Sequence, residues 1–158
     1  IVSVINKKIK ILFLIFFFNF LLVNNTLSNE KDYFLTLKYN KVKVRQGPSF
    51  KYPVKFIYKK KYLPVKIIDS KDNFKKIIDL KKNNGWIHVS QLTKKKSAIN
   101  ISNLSIAFDK PNIYSQPLAR LEKGKMVIIK KCRDEWCKIL VQNNQFWMQK
   151  KFLWGKFN

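Results

Sequence analysis

Two cysteines, one histidine and an adjacent acidic pair offer this chain its few openings for chemistry. Cys132 and Cys137 are separated by Arg133-Asp134-Glu135-Trp136, a turn-like segment between two apolar runs. On facing hairpin strands their side chains come within disulfide reach. Closing so short a loop contributes only about 2 kcal/mol by the chain-entropy argument. A redox motif has two intervening residues rather than four, and a metal site needs more ligands than His88 adds. His88 follows Gly85-Trp86 and reads as a strand-packing residue, and a Cys–His nucleophile would have to borrow one of the paired cysteines. Asp134 and Glu135 read as the solvated tip of a turn, and Gly47 stands alone rather than in a phosphate-binding loop. The expectation is a protein without catalytic residues, metal or cofactor.

The charge says more about surroundings than about chemistry. The 158 residues carry 33 Lys and Arg against 9 Asp and Glu, a formal net charge of +24, and 46% are hydrophobic. That apolar share is enough for a folded core. All but three of the cations (Arg45, Arg120, Arg133) are Lys. Readers of nucleic acid favour Arg, whose planar fork makes bidentate contacts that Lys does not. Lys, Asn, Ile, Phe and Tyr are all encoded by A/T-rich codons, so base composition accounts for the surplus without a dedicated polyanion site. The runs Lys59-Lys60-Lys61 and Lys94-Lys95-Lys96 read as solvated faces.

The first residues set the compartment. Lys7, Lys8 and Lys10 precede an apolar run from Ile11 to Val23 that only Asn19 interrupts, and no acid occurs before Glu30. This is the pattern of a signal peptide, and the run is shorter than the ~20 apolar residues of a spanning helix. Thr26-Leu27-Ser28 supplies small residues for cleavage after Ser28, with an uncleaved membrane anchor as the rival reading. An exported chain meets glycan, anionic polymers and headgroups rather than the genome, so no nucleic-acid partner is expected. Membrane contact is expected only through the leader or an uncleaved anchor. In an oxidising compartment Cys132 and Cys137 form a bridge.

Beyond residue 30 the apolar residues alternate in short runs, at Tyr33, Leu35 and Leu37, at Val42 and Val44, and at Val54, Phe56 and Tyr58. Val65 to Ile68 and Phe74 to Ile78 flank a turn-like Asp69 to Asn73. Short strands with close turns predict an all-β fold of small barrels or sandwiches. The pattern also repeats. Pro53, Phe74, Ile77, Trp86 and Leu92 correspond in order to Pro117, Trp136, Ile139, Trp147 and Leu153. These matches divide the chain into a leader at 1–28, a first unit at 38–93, a polar linker at 94–103 and a second unit at 104–155.

Val42-Lys43-Val44-Arg45-Gln46-Gly47-Pro48, followed by Tyr52-Pro53-Val54 and later by Gly85-Trp86-Ile87-His88 with Leu92, resembles the bacterial SH3 domain family. The second unit is similar to the degenerate partner copy of small exported tandem proteins. It keeps Glu122-Lys123-Gly124, Trp136-Cys137 and Trp147, but Phe108-Asp109-Lys110-Pro111 replaces the Arg-x-Gly-Pro pattern. The resemblance implies two tandem SH3-like β-barrels and a role at the cell envelope. Gly47 before Pro48 permits the tight turn that opens the long loop. Gly47, Pro48, Pro53, Gly85, Trp136 and Trp147 are assigned as structural motif residues. Trp86 and Trp147 are expected to fill the cores, with ~3–5 kcal/mol lost on truncation. Arg45, Tyr52, Tyr58 and Trp86 are the candidate ligand-binding residues.

These readings point to an exported, non-catalytic SH3-like binding protein that recognises peptidoglycan or an envelope protein. The alternatives are a charge-driven binder of polyanions or membrane surfaces and a structural protein–protein adaptor.

Overall fold

The structure, a computed structural model, describes residues 33–157, which lie within one compact unit. The leader, its cleavage after Ser28 and the rival anchor fall outside the described residues. Runs of β-branched and aromatic residues cut by turn residues form β1 (Tyr33–Leu37), β2 (Val42–Arg45), β3 (Val54–Tyr58), β4 (Pro64–Lys71), β5 (Phe74–Ile78) and β6 (Asn84–His88). A 3₁₀ turn at Val89–Gln91 leads into β7 (Leu92–Thr93). The series then repeats as β8 (Ser97–Asn100), β9 (Ser105–Phe108), β10 (Pro117–Leu121), β11 (Met126–Arg133), β12 (Trp136–Val141) and β13 (Asn144–Gln149), a second 3₁₀ turn at Lys150–Phe152, and β14 (Leu153–Gly155). No α-helix occurs among the described residues, and the fold is all-β as expected.

The strands form two seven-stranded sheets, β3-β2-β6-β5-β4-β1-β7 and β10-β9-β13-β12-β11-β8-β14, so the second order copies the first strand for strand. Local devices repeat as well. Lys71 pairs with Phe74 around Asp72-Asn73, and Arg133 pairs with Trp136 around Asp134-Glu135. The aspartates enter these two-residue turns at φ 49° and 51°, a conformation Asp tolerates better than most residues. Both long hairpins also shift register one step before the turn, between Ile67 and Asp69 and between Ile129 and Lys131. Such bulges sharpen the bend of a strand.

Each domain buries one side of its strands. The first core is Leu37, Val42, Val44, Val65, Ile67, Ile77, Ile87 and Leu92. The second contains Ala98, Ala107, Leu121, Val127, Ile129, Cys137, Ile139, Met148 and Leu153. The expectation that Trp86 and Trp147 fill these cores is corrected. On β6 the buried residues are Gly85 and Ile87, and on β13 the buried residue is Met148. Side chains alternate along a strand, so Trp86 and Trp147 are half-buried on the opposite face. Aliphatic residues, not indoles, make the interior.

The polar linker read at 94–103 is corrected too, because it contains β8, whose four residues are all buried. Its pairing with β11 and β14 makes it an inner strand of the second sheet. Asn100 is buried there because every polar atom it carries is bonded. Its amide nitrogen donates to the carbonyls of Ser102 (3.0 Å), Leu121 (3.0 Å) and Glu122 (2.9 Å). Its oxygen accepts from the Ser102 N–H (3.1 Å) and the Ser105 hydroxyl (2.7 Å). Burial without such partners would cost several kcal/mol, on the order of the desolvation penalty. The domains also touch directly. The Ser97 hydroxyl donates to the Tyr62 carbonyl (2.5 Å), the Thr36 hydroxyl donates to the Lys95 carbonyl (2.9 Å), and Phe34 meets Trp154 edge to face at 4.9 Å.

Candidate functional site

The outer face of the first sheet gathers aromatic and basic side chains beside the loop between β2 and β3. Arg45 pairs with Trp86, and β5 sets Lys76 opposite Trp86 and Phe74 opposite His88. Residues directly opposite in an antiparallel ladder share a face, so Arg45, Trp86, His88, Lys76 and Phe74 lie on the same side. The loop lays Phe50 over this surface, 62% exposed. Its ring stands 5.1 Å from Phe74, edge on, and 4.9 Å from the His88 imidazole. Phe74 and His88 meet at 5.1 Å and close the triangle. The Arg45 guanidinium lies 5.4 Å from the Phe50 centroid.

Arg45 has a second task. Its Nη1 donates to the carbonyls of Phe50 (3.2 Å) and Tyr52 (2.7 Å). One guanidinium therefore holds two turns of the loop while covering an aromatic ring. Gly47 completes the loop by close approach, since a Cβ there would stand 2.6 Å from the Tyr52 ring. Tyr52 rests on that glycine with 47% of its surface exposed. Gly85 serves the framework in a similar way, with the Arg45 carbonyl 2.9 Å from where a Cβ would sit. His88 is fixed through Nδ1, which accepts from the Ser90 N–H at 3.3 Å and lies 2.8 Å from the Ser90 hydroxyl.

Of the four candidate ligand residues, the fold brings Arg45, Tyr52 and Trp86 to this end of the sheet and places Tyr58 elsewhere. Tyr58 pairs with Val42, at the far end of the β2–β3 ladder from the Arg45–Val54 pair. Its hydroxyl donates to Asp79 Oδ2 at 2.9 Å. Burial, followed by that bond and the Asp79 charge, pushes the phenol far above the ordinary tyrosine range. Asp79 also accepts from the N–H groups of Lys81 and Asn83 and from the Asn83 amide, each at 2.9 Å. Tyr58 thus fastens the β5–β6 turn and presents no free hydroxyl. Phe50, which no sequence feature marks, and His88, read from the sequence only as a strand-packing residue, complete the surface. A lone Phe in Pro48-Ser49-Phe50-Lys51 has no periodic neighbours to mark it.

The second domain keeps the scaffold and changes the surface. Phe108 pairs with Trp147 as Arg45 pairs with Trp86, and Phe108 meets Trp136 edge to face at 5.6 Å. Lys131 lies over Trp147 at 5.8 Å. Cys132 and Cys137 face each other across the β11–β12 hairpin with Cα atoms 4.0 Å apart and are joined as a disulfide.

The bacterial SH3 domain model matches the chain twice, over residues 38–94 and 102–155. No curated protein matches it. Among solved structures the chain is similar to NlpC2 from Trichomonas vaginalis, at 13% identity and TM-score 0.37, covering 80% of this chain and 49% of that one. It is similar to NlpC1 from the same organism at 14% and 0.36, covering 83% and 48%. An NlpC/P60 family protein from Bacillus cereus ATCC 10987 gives 11% and 0.35, covering 78% and 57%. The chain spans about half the length of the proteins in these structures.

Proposed function

The chain belongs to the bacterial SH3 domain family, and from that premise we propose that it is an exported, non-catalytic binding protein of the cell envelope. Its first domain holds peptidoglycan, or a peptide-bearing envelope protein, on the outer face of β2, β6 and β5. The observation that carries this reading is the exposed ring of Phe50, stacked among Phe74, His88 and Arg45 on a loop that Arg45 clamps. Exposed aromatic faces on a pinned loop suit sugar rings and peptide planes, because they give contact area at small ordering cost. The basic surface adds long-range attraction to an anionic wall. A disulfide in the second domain supports an oxidising compartment.

Retention on purified peptidoglycan tests the reading, with wild type beside Phe50→Ala and Tyr52→Ala at low and high salt. The expected result is loss of retention by Phe50→Ala at either salt, with the fold intact by circular dichroism. Retention that ignores Phe50 and Tyr52 but collapses with salt would favour a charge-driven polyanion binder instead, a reading supported by the exposed Lys41, Lys43, Lys51 and Lys55 of the same domain.

A further inference from the structure

We propose that the outer face of β9 and β10 in the second domain docks an extended, acidic and apolar segment of a partner protein. The two domains can be overlaid residue by residue from their hydrogen bonds. Arg45 and Phe108 are equivalent, because each pairs with its domain's Trp86 or Trp147 and with Val54 or Pro117. The loops follow in step. Gln46 N–H donates to the Pro53 carbonyl (3.1 Å) as Asp109 donates to Gln116 (3.0 Å), and Tyr52 donates to Ser49 as Ser115 donates to Asn112, both at 3.2 Å.

Through that register, the five cations that the first domain carries from Lys41, just before β2, to the end of β3 all become apolar or aromatic in the second. Lys41 becomes Leu104, Lys43 becomes Ile106, Arg45 becomes Phe108, Lys51 becomes Tyr114 and Lys55 becomes Leu118. Leu104 is 68% exposed, Ile106 45%, Leu118 45% and Tyr114 89%. A single exposed Leu is ordinary. Four of five cations exchanged for exposed apolar or aromatic side chains, with the half-buried Phe108 as the fifth, make an interaction patch in a chain of net charge +24. Two exchanges run the other way and place positive charge beside the patch, Gly47 to Lys110 and Ile57 to Arg120, against one that adds a carboxylate, Gln46 to Asp109. Arg120 pairs directly with Ile106.

These features choose the occupant. β10 ends its sheet and is bonded only to β9 among the described strands, so its outer main-chain groups can accept an added strand. Apolar side chains at alternate positions would meet Ile106 and Leu118, and flanking carboxylates would meet Arg120 and Lys110. A second copy of the chain is disfavoured, because each copy would bring the same +24 charge to the contact. The proposal rests on the second domain alone, so it stands or falls apart from the polymer site of the first.

The test uses the full chain and the fluorescein-labelled peptide Asp-Glu-Leu-Thr-Ile-Thr-Leu-Glu, read by fluorescence anisotropy. The variant I106K/L118K installs the residues that the first domain carries at the same places, so the scaffold already accommodates them. Wild type should bind the peptide, the variant should bind at least about tenfold more weakly, and a Lys-flanked version of the peptide should not bind. Equal affinity of wild type and variant, or no binding by wild type, would overturn the proposal. So would sedimentation showing a wild-type dimer that I106K/L118K dissolves, since that assigns the face to a second copy.

Discussion

Trp86 stands opposite Arg45 across the β2–β6 ladder, while its neighbour Ile87 turns inward to a core in which it is fully buried. One step along the strand separates a surface role from a structural one. Ile87→Ala should therefore lower stability by about 2–5 kcal/mol. Trp86→Ala, removing a half-buried ring from the outer face, should lose about 1–2 kcal/mol and more of the binding. Urea unfolding of both variants, together with retention on peptidoglycan, checks the pair. Equal destabilisation would return Trp86 to a core role.

Gly47 and Gly85 are both sites of close approach, yet they should answer differently to Ala. At Gly47 the obstructing group is the half-exposed ring of Tyr52, which can swing away. Gly47→Ala should leave stability within about 1 kcal/mol of wild type and weaken binding by displacing Tyr52. At Gly85 the added methyl meets the Arg45 carbonyl, which belongs to the β2 backbone. Gly85→Ala should unfold the first domain at clearly lower urea, whatever its effect on ligand.

These contrasts mark what could be read from the residues alone. The Cys132–Cys137 bridge was legible because the turn-like Arg133-Asp134-Glu135-Trp136 between apolar runs suits a hairpin end that brings the two cysteines face to face. The repeat was legible because Pro, aromatic and Leu positions recur in order. The inward side of β6 was not. Gly85-Trp86-Ile87-His88 has large side chains on both faces, and size alone favoured the indole over the isoleucine. β8 was hidden for the opposite reason. Ser97 and Asn100 look like linker residues until their hydrogen bonds to Tyr62, Ser102, Ser105, Leu121 and Glu122 are seen. Phe50 became a site residue only through the fold, which brings it to Phe74 and His88 across twenty-four residues or more.

The disulfide should stabilise the second domain modestly. Its loop is short, so reduction should lower stability by about 2 kcal/mol. Cys137 is also part of the core, and replacing it would mix cavity and bridge effects. Dithiothreitol on the unaltered chain separates them. The urea midpoint of the second domain should fall on reduction, and the non-reduced protein should show no reactive thiol. Titratable thiols in protein recovered from an oxidising compartment would remove the bridge.

The Tyr58–Asp79 bond predicts a pH dependence with a definite sign. Burial and Asp79 raise the phenol's folded-state pKa well above its unfolded value near 10. Below that value both states hold the proton, and the bond contributes fully, by about 1.5–3 kcal/mol for a hydroxyl donating to a carboxylate. As pH rises past it, the unfolded chain releases the proton while the folded chain retains it, so folding loses stability. Tyr58→Phe removes the bond but keeps the ring against Phe56 and the core. The variant should be less stable than wild type at pH 7 to 9, and the gap should close as pH climbs above roughly 10. Urea unfolding across that range measures it. A gap that stays constant would mean that Tyr58 titrates as freely in the folded protein as in the unfolded one, and a gap that widens in alkali would mean that folding lowers its pKa; either would overturn the assignment.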